Sequence, residues 1–273
     1  MSVIVVPVAN RPECVHALKV AFDLSGSVGG QVVGYHLHPH KYDSKKIKTP
    51  RGPAKEAFDL FEDMATKADM PVKKTGNAGA GATAVWKEML GTPDKVMPVI
   101  APMSDVIVVS RPKGSGKGKQ GKVAREFVLE ALRSGNRPTL ILPQRRLASV
   151  GKRVIVAWDQ SSAAVQALVG ALPILQQAEQ VVIHTAGADF HTAPKVGHAR
   201  NYLAMHGIKA KISKSKGLHV ERELEEAYDT HNADLLVMGA YSRSRFMERL
   251  LGGTSEHFIM KTKIPVLATH PAS

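Results

Sequence analysis

Short runs of β-branched and aliphatic residues recur along the chain and alternate with longer stretches in which apolar positions return every three or four residues. The first pattern predicts strands and the second helices, and their alternation predicts a parallel sheet covered by helices. In the first half the predicted strands are Val3–Val8, Gln31–Leu37, Pro71–Thr75, Asp105–Val109 and Thr139–Leu142. In the second they are Arg153–Trp158, Gln180–His184, Lys209–Ser213, Asp234–Met238 and Pro265–Ala268. Helical stretches match as well, Pro12–Leu24 against Ser162–Gln177 and Val123–Ser134 against Ser255–Lys261, so the chain reads as an internal repeat. Near-continuous apolar segments such as Val106–Ser110 and Leu235–Gly239 suit a sheet covered on both faces. The expected class is therefore α/β, with two doubly wound open parallel five-stranded sheets in tandem. The polar stretch from Gln144 to Gly151 marks the junction and gives domains 1–146 and 151–273.

Composition agrees with two packed cores. The 273 residues exceed the usual single domain of about 100–200, and 44% apolar with 22% charged residues is a globular balance. No apolar run approaches the roughly 18 residues of a membrane-spanning helix, and Met1 leads directly into Val3-Ile4-Val5-Val6 with no signal-peptide pattern. The lone Cys14 has no disulfide partner and falls on the apolar face of a helix, which fits a reducing cytoplasm. We therefore expect a cytoplasmic protein without a membrane partner. The net charge of +13 is concentrated in the first half. With few aromatic residues and no nucleic-acid motif, it reads as a solvated surface rather than a nucleic-acid face. Two segments break the repeat: the basic loop Tyr42–Pro53, and Gly76–Gly81, a hinge, binding or disordered loop.

In an open parallel sheet, ligands bind beyond the carboxyl ends of the strands where the strand order reverses. In the second half those positions hold Asp159-Gln160-Ser161, then Gly239-Ala240-Tyr241-Ser242-Arg243, and later Gly252-Gly253-Thr254-Ser255. A carboxylate there can hold a ribose hydroxyl. Glycines let backbone N–H groups approach phosphate oxygens, and a helix opening at Thr254-Ser255 turns its free amides toward the same anion.

These residues resemble the universal stress protein family. Its phosphate loop reads Gly, two residues, Gly, nine residues, Gly, then Ser or Thr, after a strand ending in Met-Gly. Met238-Gly239, two residues, Ser242, nine residues, Gly252 and then Gly253-Thr254 follow that spacing, with Asp159 in Val156-Ala157-Trp158-Asp159 and Ile264-Pro265-Val266-Leu267 in the last strand. Ser242 stands where the family has its second Gly, and Gly253 where a hydroxyl residue is usual. The resemblance implies a Rossmann-like, adenine nucleotide alpha hydrolase-like fold and a stress-response role. It also implies ATP or another adenine nucleotide, with or without magnesium, as ligand. The implied nucleotide-binding set is Ala157, Asp159, Met238, Gly239, Ser242, Arg243, Gly252, Gly253, Thr254 and Ser255. It further implies an internal pseudo-dimer formed through the last strands of the two domains, and leaves room for a homodimer besides.

The first half is the degenerate one. Ala9-Asn10 stands where the second half has Asp159, and its loop Lys113–Lys122 is rich in Gly and Lys instead. Gly116, four residues and Gly121-Lys122 come near a Walker-type loop, but Val123 cannot supply the hydroxyl that holds magnesium. His36, His38 and His40 alternate at a strand end and could share a face toward a metal, against which stand Pro39 and the lack of a fourth ligand. His184 ends the corresponding strand of the second half, either packing on a base or finishing the strand. Glu221, Glu223, Glu225 and Glu226 lie on a helix over Val220–Thr230 and read as its solvated face. No Ser-His-Asp or Cys-His arrangement emerges, so no catalytic residue is assigned. A nucleotide-binding protein is the leading expectation, ahead of a ligand-free interaction protein and a slow ATP hydrolase.

Overall fold

The computed structural model describes residues 2–9, 11–38, 52–73, 81–112, 118–134, 137–187, 194–240 and 254–270. The chain divides into two compact units, one of residues 1–137 and 144–146, the other of residues 138–143 and 147–273.

The first unit runs β1 (Ser2–Pro7), α1 (Pro12–Val28), β2 (Gly30–His38), α2 (Pro53–Lys67), β3 (Val72–Lys73), β4 (Thr83–Leu90), α3 (Pro93–Ile100), β5 (Val106–Ser110) and α4 (Gly118–Ser134). Its strands are all parallel, in the order β3-β4-β2-β1-β5. Proline at the first position of α1, α2 and α3 starts each helix where a missing N–H costs nothing. Ile4, Val32 and Ile107 of the central strands are wholly buried, as are Phe22 and Phe61 of the covering helices, whose rings meet at 5.6 Å.

The sequence pattern missed one element here. The third strand, expected over Pro71–Thr75, is only the two-residue β3, and the place beside β2 belongs to β4. Burial explains the omission: Thr83, Ala84 and Val85 are buried, but the strand then runs out through Trp86-Lys87-Glu88 to the exposed Leu90, which leaves no continuous apolar run.

The second unit runs β6 (Thr139–Leu142), β7 (Arg153–Ala157), α5 (Ser162–Gly170), α6 (Leu172–Leu175), β8 (Gln180–Ala186), α7 (Val196–Met205), β9 (Ala210–Ser215), α8 (Val220–Thr230), β10 (Leu235–Gly239), α9 (Thr254–Glu256) and β11 (Val266–Thr269). Five strands are parallel in the order β11-β10-β7-β8-β9, and β6 adds to β11 antiparallel, with Ile141 opposite Val266 and Thr139 opposite Ala268. This pairing puts residues 138–143 with the second unit rather than the first, and it covers the edge that β11 would otherwise expose. The opposite edge strand, β9, carries the exposed Lys211 and Lys214, the usual guard against edge-to-edge association.

Two helices differ from expectation. The stretch read as one helix from Ser162 breaks at Ala171 into α5 and α6. The stretch read as Ser255–Lys261 is one turn, α9, followed by a wider turn over His257–Lys261 in which Thr262 N–H reaches His257 O at 3.0 Å. At the amino end of the sheet, Asp234 gathers Ser149 Oγ (2.5 Å) and the N–H groups of Gly151 (3.1 Å) and Arg153 (2.9 Å), tying the start of β7 to that of β10.

Candidate functional site

The order of strands in the second unit reverses between β7 and β10, so the crevice lies where these two end. Beyond Ala157 the chain is held straight, because Trp158 N–H donates to His184 O (2.8 Å) and its indole Nε1–H to Pro194 O (3.0 Å). The next residue, Asp159, is exposed, and its Oδ1 accepts both Ser161 N–H (3.1 Å) and Ser161 Oγ–H (2.5 Å). Gln160 makes the bend possible in a left-handed conformation with φ of 64°. Ser161 Oγ in turn accepts Ala164 N–H (3.1 Å), capping α5.

On the other wall, Met238 is buried in β10, and Gly239 lies against the first turn of α5. A Cβ there would stand 2.6 Å from Ala164 N and 2.7 Å from Ala163 Cβ. Gly239 is thus needed for strand and helix to touch, whatever it does toward a ligand. Thr254 and Ser255 open α9. Ser242, Arg243, Gly252 and Gly253 lie outside the described residues.

The strand registers allow the two units to be compared position by position. Val8 N–H donates to Tyr35 O (2.8 Å) as Trp158 N–H does to His184 O, which makes Ala9 the counterpart of Asp159 and Arg11 that of Ser161. In the first unit the side-chain bonds of that turn are replaced by Arg11 N–H to Ala9 O (2.8 Å), and α1 has no side-chain cap. By the same register Ser110 takes the place of Gly239, and its hydroxyl donates to Glu13 O (2.8 Å). Arg111 follows it in place of Ala240. It is buried, and desolvation pulls its guanidinium down to about 10.

A polar chain runs beside the second-unit crevice that the sequence pattern did not reveal. Glu223 was read as a solvated side chain, but its Oε1 accepts His219 N–H (3.0 Å) and its Oε2 accepts Gly217 N–H (2.8 Å). These bonds and that of the Ser215 hydroxyl hold its carboxyl down at about 2. A carboxylate only accepts, so Ser215 O–H points to Glu223 and His184 Nε2–H must donate to Ser215 Oγ (3.1 Å). His184 Nδ1 is left to accept Ser213 O–H (3.1 Å). Burial pushes the His184 pKa below its usual value, in keeping with this neutral tautomer. The order Ser213–His184–Ser215–Glu223 is not that of a hydrolytic triad, because the carboxylate meets the serine and not the imidazole. Gly217 is fixed by the same chain: a Cβ there would lie 2.5 Å from Gly187 Cα. Glu225 is not merely solvated either, for it accepts His257 Nε2–H at 2.8 Å and joins α8 to the turn after α9. A signal for Glu223 existed in the sequence, an acidic residue near the start of a helix just after a Gly-containing turn.

The remaining candidates separate. His36 Nδ1–H donates to Val8 O (3.0 Å) and His38 Nε2–H to Glu88 Oε2 (2.9 Å). His40 lies outside the described residues, among which no group of three His, Cys, Asp or Glu could hold a metal ion. In the basic loop, residues 113–117 lie outside the described residues, while Gly118–Lys122 form the start of α4 rather than loop. Most of Tyr42–Pro53 and Gly76–Gly81 is likewise outside, Pro53 being the first residue of α2. Cys14 is buried, its Sγ accepting Ala9 N–H at 3.5 Å, and burial pushes the thiol pKa up. Among the described residues no helix is long and apolar enough to cross a membrane.

Strand order and crossovers define each unit as a Rossmann-like α/β domain, and the chain as a tandem of two. The same architecture is found in a universal stress protein from Archaeoglobus fulgidus, which superposes with a TM-score of 0.71 at 17% identity over 100% of this chain and 97% of that one. A sequence model of the universal stress protein family matches residues 192–270. A universal stress protein from Mycolicibacterium smegmatis is 30% identical over 33% of this chain and 74% of its own length. One from Synechocystis is 27% identical over 60% of this chain and only 57% of its own length. The chain belongs to the universal stress protein family.

Proposed function

We propose that the second unit binds an adenine nucleotide, ATP or a close relative, in the crevice at the ends of β7 and β10. On this reading the protein acts in a stress response as a nucleotide-binding protein of the cytoplasm. The observation that carries it is the contrast between equivalent crevices. The second unit has a carboxylate, Asp159, held at the strand end beside a capped helix, where the first has Ala9 and an uncapped one. Asp159 would hold the ribose hydroxyls. Ala157, Met238 and Gly239 would line the crevice, and Ser242, Arg243, Gly252, Gly253, Thr254 and Ser255 would take the phosphates. No residue is assigned to magnesium. The first unit, with Ser110 and Arg111 filling the positions of Gly239 and Ala240, would serve as structure.

Mass spectrometry of the supernatant after heat or acid denaturation of freshly purified protein is the direct test. An adenine nucleotide approaching one per chain is the expected result. Protein that neither retains nor takes up any nucleotide at millimolar concentration contradicts the proposal, and would favour a ligand-free interaction protein.

A further inference from the structure

Resting on that nucleotide reading, we infer that Ser161 is a positioning residue, which aims the Asp159 carboxylate at the ribose with the same hydroxyl that caps α5. A hydroxyl has one proton to give and lone pairs to accept with. Ser161 Oγ gives its proton to Asp159 Oδ1 at 2.5 Å and accepts Ala164 N–H at 3.1 Å, so both roles are filled at once. Its backbone N–H reaches the same Oδ1 at 3.1 Å. An exposed carboxylate gets little restraint from packing, so hydrogen bonds set its direction, and two of them come from this one residue. With Oδ1 fixed, the direction of Oδ2 is fixed too, and less rotational freedom is lost when a ligand binds.

The bend at Gln160 belongs to the same device. Its left-handed φ of 64° brings Ser161 N and Oγ onto one oxygen two residues back. In the first unit the carboxylate and the capping hydroxyl are missing together, Ala9 for Asp159 and Arg11 for Ser161. Loss of both is what a paired function would leave behind, since the hydroxyl has lost half its purpose once the carboxylate is gone.

Substitutions can separate the cap from the aim. Ser161→Gly removes the hydroxyl at little cost to the helix, since glycine serves at a helix N-cap almost as well as a capping side chain. Ser161→Thr restores both roles. The readout is the ratio of affinities for ATP and 2′,3′-dideoxy-ATP, which isolates the ribose contact from any change in charge or fold, with the melting temperature recorded beside it. Wild type and Ser161→Thr are expected to favour ATP by about tenfold, the equivalent of one charge-assisted hydrogen bond. Ser161→Gly should melt close to wild type while its ratio falls toward one. If wild type favours ATP and Ser161→Gly does so equally, Ser161 is only a cap and the inference falls. If wild type does not distinguish the two ligands, the ribose assignment of Asp159 fails, and the role of Ser161 with it.

Discussion

In the second unit the end of β10 touches the first turn of α5, and Gly239 has no side chain to hold them apart. In the first unit Ser110 occupies that place and turns the closeness into a hydrogen bond with Glu13 O. The two positions should respond differently to alanine. A methyl at 239 has nowhere to go, with backbone atoms of Ala163 and Ala164 at 2.6–2.7 Å, so Gly239→Ala should cost about 1–3 kcal/mol through overpacking. Ser110→Ala loses one hydrogen bond and should cost about 0.5–1.5 kcal/mol. Urea denaturation measures both, and a neutral Gly239→Ala would mean that the helix is free to move away. A Met-Gly strand end thus has a packing cause, which the sequence motif alone presents as a ligand contact.

Among the elements, β8, β9 and α8 are joined by a polar chain through the buried His184 rather than by apolar packing alone. His184 is 3% exposed and neutral, with its tautomer set by Glu223 through Ser215. Its folded-state pKa lies below the unfolded value of 6.5, chiefly because of burial, and His36 in the first unit is lowered by the same cause. Such a group binds fewer protons folded than unfolded. Its cost is absent above pH 6.5, grows as pH falls below that value, and levels off below the folded pKa. Unfolding free energy measured from pH 7.5 to 5 should therefore decline below 6.5, and His184→Asn should flatten part of the decline. A slope unchanged by that substitution would contradict the assignment. Glu223 adds little slope in this window, because its folded value of about 2 and ordinary value of 4.5 both lie below it.

This network also marks the limit of what the sequence made legible. Strands such as Val106–Ser110 and Leu235–Gly239 were plain because burial on both faces demands unbroken apolar residues. The repeat was plain because both halves obey the same demand. The bonds of Glu223 and His184 join residues from different elements, where no periodicity records them, and β4 was missed because half of it faces solvent. Ser161 could have been found: a serine just before an Ala-rich helix, two residues after an aspartate, is a readable cap.

At the scale of the whole molecule, the two units are asymmetric. Both set four parallel strands in the same order, β4-β2-β1-β5 in the first and β9-β8-β7-β10 in the second, yet only the second keeps the carboxylate, the capping hydroxyl and the glycine at the strand ends. A repeat that had kept both crevices alike would bind two nucleotides, and one that had lost both would bind none. Calorimetric titration of the full chain with ATP, alongside Asp159→Ala, tests this most directly. The predicted result is one ATP per chain, with affinity falling about tenfold or more in the variant. Two equivalents per chain, or one equivalent whose affinity Asp159→Ala leaves unchanged, would contradict the assignment of the site to the second unit.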